Sequence, residues 1–292
     1  MTQQEIINKM VIDLELLGRS KKTIRDYQYK INAYQSHFGK PADQMHEKEV
    51  REYLLYHFEV LNHGTGTTNT YVAALHFLYE TTLDNPLNKR KVPYAKETRR
   101  IPVLPSKKDL ELIFAHTRSL KYRAIFMTIY GSGLRVSEAA NLRIKDIDSK
   151  NMRILVREGK GKKDRYTLLP QQTLLILRAY FKAYRPKGEW LFISNRKEHI
   201  AARSIQKAFQ TIVEKSGVPN HITIHTLRHC FATDLLNEGK NIYHIKRLMG
   251  HVRLDTTAWY LQLTDSEILH LTSPLDTMDC ITFSSPKLPN NV

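Results

Sequence analysis

Residues 84–105, DNPLNKRKVPYAKETRRIPVLP, contain four prolines and show no sustained periodicity. Each proline lacks a backbone N–H and pushes the residue before it out of the helical region, so no continuous helix or paired strand crosses this stretch. Helical periodicity dominates on both sides, which predicts two units joined by an extended tether. A chain of 292 residues is long enough to give each unit its own core. The expected division is 1–84, a linker at 85–105, a second domain at 106–272 and a tail at 273–292.

In the first unit Ile6, Ile7, Met10, Val11, Leu14 and Leu17 form a helical stripe that stops at Gly18. Ser20 is placed to cap a second helix carrying Ile24, Tyr27, Ile31 and Tyr34 up to Gly39. Two more helices, near 44–62 and 68–82, complete a small bundle.

The second unit opens at Ser106, an N-cap for a helix with Leu110, Ile113 and Phe114. A helix near 122–130 leads into GSGLRVSEAANLR, where Gly131 and Gly133 permit a tight turn and Ser137 with Glu138 opens another helix. The alternating runs MRILVRE and RYTLLP, joined by GKGKKD, predict a hairpin with a lysine-rich tip. Helices near 173–184 and 202–215 flank the short apolar run WLFIS. The fold class is therefore mainly α with a small antiparallel sheet. After Tyr260, DSEILHL gives one more helical pattern before a polar tail.

The formal net charge is +16, from 45 Lys and Arg against 29 Asp and Glu. Such an excess predicts an anionic polymer as partner, bound less tightly as salt rises. Charge alone fits a ribosomal or membrane-surface protein too, so the motifs must decide. The cysteines, Cys230 and Cys280, form no CxxC pair, which disfavours disulfides and cysteine zinc sites and points to a reducing cytosol. The start, MTQQEIINKM, lacks an apolar signal core, and no apolar run reaches the ~18 residues of a membrane span. A cytoplasmic location with no membrane partner is expected.

The polar residues concentrate in HTLRHCFATDLLNEGKNIYHIKRLMGHVRLDTTAWY, from His225 to Tyr260. His225 and Arg228, three apart, share a helix face. Leu227, Phe231 and Leu235 lie on another face, whose burial would leave the first free. Gly239 ends this helix, Asn241 caps the next, and Gly250 ends that one just before His251. His221, His225 and His229 fall at four-residue intervals and raise a metal alternative. HTLRH lacks the glutamate of HExxH, Pro219 interrupts helix across His221, and no carboxylates accompany the histidines, so no metal site is expected.

These pieces together resemble the tyrosine recombinases, the phage-integrase-type site-specific recombinases, and within them the shorter Xer-like members. The resemblance rests on GLRVSE with Arg135, GKGKKDR with Lys160, HTLRH with His225 and Arg228, LMGH with His251, and Tyr260 nine residues further on. Cys230, Asp234 and Met249 depart from the usual pattern at positions that bear on partner details. The resemblance implies a SAM-like helical core-binding domain, a basic linker, and a catalytic domain with the DNA breaking-rejoining fold. It also implies double-stranded DNA as substrate, a covalent 3′-phosphotyrosine, a homotetramer on two sites, and no metal or ATP.

The residue types suit that chemistry. Tyr260 supplies an attacking phenol whose ordinary pKa, about 10, demands a positive setting or a base. Arg135 and Arg228 offer forked donors to two non-bridging phosphate oxygens. Lys160 is placed to protonate the leaving 5′ oxygen, His225 and His251 to bond the phosphate and manage the tyrosine proton, and Glu138 to orient the cluster. Lys89, Arg90, Lys91, Arg99, Arg100, Lys162 and Lys163 are expected to follow the DNA backbone. Two alternatives share most of these features: a type IB-like topoisomerase, and a DNA-binding protein that keeps the fold without activity.

Overall fold

The structure is a computed structural model, described for residues 1–96, 103–157, 164–194, 199–219, 221–251, 253–258 and 260–261. The chain divides into two compact units, residues 1–100 and 101–292.

The first unit is helical. Helix α1 (Gln3–Leu16) starts from Thr2, whose hydroxyl accepts from the Glu5 backbone while Glu5 accepts from Thr2 N–H, and it buries Ile6, Ile7, Met10 and Leu14. Helix α2 (Lys21–Phe38) is capped by Ser20 and closed by Gly39, whose φ of 64° is one that residues with a Cβ rarely adopt. Helices α3 (Glu47–Glu59) and α4 (Thr65–Phe77) follow, with a widened π turn at Leu78–Thr82. Tyr34 and Tyr79 meet in the core at 3.1 Å between hydroxyls, so both polar tips are bonded where water is excluded.

The stretch expected to begin an extended tether at residue 85 instead continues the first unit. Leu87 and Val92 are 4% and 1% exposed within its core. The Asn69 amide bonds both the N–H and the C=O of Ala95, and His76 Nε2 donates to Val92 O at 2.9 Å. Composition registered the prolines and charges, but not that two apolar residues among them have a core to enter.

In the second unit, helix α6 (Leu120–Ser132) is the central buried element and packs against α8 (Gln171–Tyr184), α9 (Ala202–Ser216) and α10 (Ile224–Asn237). Helix α5 (Lys107–His116), capped by Ser106, lies on α9, and the short α7 (Val136–Ala140) follows α6. The sheet is antiparallel in the order β1 (Ile147–Asp148), β2 (Arg153–Val156), β3 (Arg165–Leu168), with Ile154 opposite Thr167. Ile154 and Val156 turn into the core on alternate positions. The WLFIS run forms isolated bridges, Arg143 with Trp190 and Ile193 with His199. Helix α11 (Ile242–Met249), capped by Asn241, rests on β3 and α10, and α12 (Asp255–Ala258) rests on α11. A small core of Phe231, Ala232, Leu236, Ile245 and Met249 takes in the ring of Tyr260. The helical pattern expected at DSEILHL and the tail at 273–292 lie outside the described residues, as does the hairpin tip.

Candidate active site

Helix α10 carries His225, Arg228 and His229 at spacings of three and four residues, one above another on the same side. That side is not free, as the sequence suggested: Arg228 is 5% exposed. Its Nη1 donates to Gly133 O at 2.5 Å, and its Nη2 donates to Met249 O at 2.6 Å and His251 Nε2 at 3.1 Å. Gly133 caps the C-terminal end of α6 and Met249 closes α11. The last carbonyls of a helix lack intrahelical partners and carry its negative dipole end, so a guanidinium between two such ends is drawn in. Burial, with Arg135 and Arg165 adding repulsion against the attraction of Glu138, lowers the Arg228 pKa to about 10. The group stays charged at neutral pH.

Arg135 occupies the N-cap of α7, with its Nη1 donating to Glu138 Oε1 at 2.7 Å and its backbone N–H donating to Oε2 at 2.8 Å. Glu138 also receives two bonds from Arg165 of β3 and lies 3.5 Å from Arg228 Nη1. Burial would raise its pKa, but the Arg165 bonds and charge, with Arg135 and Arg228, outweigh that and hold it at about 2. One carboxylate thus anchors three guanidinium groups.

His251 follows Gly250, which ends α11 with φ 65°. Arginine can only donate, so His251 Nε2 accepts from Arg228 and the ring proton lies on Nδ1, 2.9 Å from Thr257 Oγ1. Tyr260 is 3% exposed, and its Oη lies 2.9 Å from His229 Nδ1. Burial raises the phenol pKa, while Arg228 and Arg135 oppose the rise. Burial, then Arg228 and His225, lowers the His229 pKa to about 4. His225 stands at the exposed rim, its pKa lowered by desolvation and by the same two arginines.

Arg135, His225, Arg228, His229, His251, Arg253, Thr256 and Tyr260 line one cleft of about 570 Å³. Five of the six residues nominated as catalytic therefore converge, with Glu138 behind them. The sixth, Lys160, lies outside the described residues with Lys162, Lys163, Arg99 and Arg100. Lys89, Arg90 and Lys91 are exposed on the first unit, where Lys89 pairs with Glu80 at 3.6 Å and Lys91 with Glu47 at 2.7 Å. Sequence reasoning missed Arg165 and the contact of His229 with Tyr260. Arg165 was visible as the last residue of GKGKKDR and His229 as the histidine directly after Arg228, but neither motif says what the side chain meets. Among the described residues, no three His, Cys, Asp or Glu side chains gather as a metal-holding group, and no helix is long and apolar enough to cross a membrane.

A buried tyrosine beside two arginines in a cleft has the makings of a nucleophile facing an anion, and comparison with known proteins narrows the class. Residues 106–267 match the phage integrase family, and residues 6–89 match the N-terminal SAM-like domain of phage integrases. The chain is 33% identical to the tyrosine recombinase XerA of Thermococcus kodakarensis, over 89% of this chain and 91% of that one. It is 31% identical to XerA of Pyrococcus horikoshii, over 91% and 93%. Its fold is shared with lambda integrase, solved as a dimer bound to a COC′ core site, with TM-score 0.72 at 18% identity over 89% and 95% of the two chains. The chain belongs to the phage integrase family and is an enzyme of the tyrosine-type site-specific recombinase class.

Proposed function

We propose that this recombinase cuts and rejoins duplex DNA with Tyr260 as nucleophile, leaving the 3′ end joined to Oη and releasing a 5′ hydroxyl. Arg135 and Arg228 hold the two non-bridging oxygens of the scissile phosphate, and the Glu138 carboxylate fixes the arginines without neutralising them fully. His225 bonds the same phosphate, His251 holds Arg228 in place by accepting from its Nη2, and Lys160 protonates the departing 5′ oxygen. Cationic side chains supply the charge stabilisation, so neither metal nor ATP has a task; the phosphotyrosyl ester preserves the bond energy for rejoining. The observation that carries this reading is the convergence of Tyr260 with Arg135, Arg228, His225 and His251 on one cleft.

The basic residues Lys89, Arg90, Lys91, Arg99, Arg100, Lys162 and Lys163 follow the DNA backbone, consistent with the +16 net charge. Exchange between two duplexes requires four cleavages, so the working assembly is a homotetramer on two sites, acting in the cytoplasm on nucleoid DNA. The chain is proposed to divide its labour between a core-binding first unit, residues 1–100, and a catalytic domain at 106–272. To test this, a random-sequence duplex library is incubated with wild type and Tyr260→Phe, and covalent adducts are captured. Adducts from wild type alone support the reading, whereas equal adducts from both remove Tyr260 as nucleophile. Two captured sites placed on separate duplexes should then yield recombinant product; relaxation of supercoils without it favours a topoisomerase.

A further inference from the structure

We propose that His229 is a further catalytic residue, whose Nδ1 takes the proton of Tyr260 as Oη bonds to phosphorus. The proposal rests on the recombinase reading above and adds to it the fate of the phenolic proton. His229 Nδ1 lies 2.9 Å from Oη, within the reach a general base needs. Of the two residues nominated for this proton from the sequence, His225 stands at the exposed rim and His251 is committed differently. Its Nε2 faces an arginine that can only donate, its Nδ1 faces Thr257, and its ring runs parallel to Tyr260 with centroids 6.2 Å apart. His229 also lies one helical turn beyond His225 and adjacent to Arg228, so the residue that receives the proton is fixed on the same rigid helix as the phosphate ligands.

The protonation states agree with the geometry. Burial and the neighbouring Arg228 keep His229 neutral at neutral pH, so one ring nitrogen is an acceptor. The phenol is a much weaker acid than the imidazolium, which disfavours transfer ahead of attack. Transfer accompanies attack: an Oη lone pair forms the bond to phosphorus, the Oη proton moves to Nδ1, and the bond from phosphorus to the 5′ oxygen breaks. The electrons of that bond stay with the 5′ oxygen, which takes a proton from the acid assigned to Lys160. The arriving phosphodiester carries negative charge beside the ring and favours the imidazolium. In rejoining, the 5′ hydroxyl attacks and gives its proton to the group assigned to Lys160, the bond from phosphorus to Oη breaks, and the imidazolium returns its proton to Oη.

The test uses the full-length chain on a captured duplex made in two forms, one with the ordinary 5′ oxygen and one with sulfur at that bridging position. A sulfur leaving group needs no acid, so it separates loss of the acid from loss of the base. His229→Asn keeps an acceptor beside Oη but cannot carry the proton. It should slow adduct formation about 10²-fold or more on both duplexes, with a rate that climbs about tenfold per pH unit above about pH 7. Lys160→Ala should be slow only on the oxygen form. Should His229→Asn lose duplex affinity, His229→Gln replaces it in the same comparison. A variant that cleaves within about threefold of wild type, or a deficit that sulfur restores, overturns the assignment. A wild-type chain that forms no adduct overturns the recombinase reading, and this one with it.

Discussion

Arg165 donates from both terminal nitrogens to the two oxygens of Glu138, at 2.9 and 2.7 Å, and from Nε to Leu248 O at 2.8 Å. A strand residue thereby links the carboxylate that holds Arg135 and Arg228 to the end of the helix that precedes His251. Both side chains of the pair are nearly buried, 9% and 7% exposed, so the carboxylate depends on its partners rather than on water.

Arg165→Ala should therefore destabilise the second unit by about 3 kcal/mol, the cost of leaving a buried charge without its bidentate partner. Arg165→Lys should lose less, because a point charge remains without the fork. Urea midpoints of the two variants, with Glu138→Gln and the double variants, measure this; the pairs should be strongly non-additive.

Glu138 also sets an acid limit. Its folded pKa, about 2, lies below the ordinary 4.5, so its contribution is fully present above 4.5 and is lost as pH falls toward 2. The shift corresponds to roughly 3 kcal/mol. Urea unfolding across that range should show the loss in wild type and a flatter profile in Glu138→Gln.

Gly133 combines φ 62° with a place where an added Cβ would lie 2.3 Å from the Phe231 ring. Its carbonyl is also the one that receives Arg228. Gly133→Ala should cost about 2 kcal/mol or more from backbone strain and overpacking together, read as a lower melting temperature. Gly18→Ala, also at positive φ but with open space around its Cβ, should cost only about 1 kcal/mol.

In the first unit, His57 is 1% exposed beneath Tyr53 and Tyr71, with Nδ1 2.8 Å from His63 Nδ1. Burial, then His63 and His37, lowers its pKa to about 4. As pH falls below 6.5 the unfolded chain takes up the proton first, so stability declines between 6.5 and 4. His57→Phe should lose less melting temperature than wild type between about pH 7 and about pH 5.

Much of this fold was legible because its signals are local. Ser20, Ser106 and Asn241 cap the helices assigned to them, and Gly39 and Gly250 end theirs, since a cap needs only its own turn of chain; of the two glycines read as a turn, Gly133 ends α6 but Gly131 lies inside it. Strand β1, two residues long, is too short to show alternation. In the site, spacing placed His225 and Arg228 on one face but was silent about what that face meets: two helix ends, 95 and 21 residues away in the chain. The pairing of Arg165 with Glu138 spans 27 residues, and that of His229 with Tyr260 spans 31. Contacts at such separations follow from how helices pack, which no single motif records.

The central claim is that Oη of Tyr260 becomes bonded to the 3′ phosphate of the cut strand. Nuclease and protease digestion of the captured adduct, followed by fragment mass spectrometry, tests it directly. The account predicts a nucleotide joined through its 3′ phosphate to the peptide containing Tyr260, and a free 5′ hydroxyl on the released strand. A 5′-linked nucleotide, or one carried by any other residue, would contradict it.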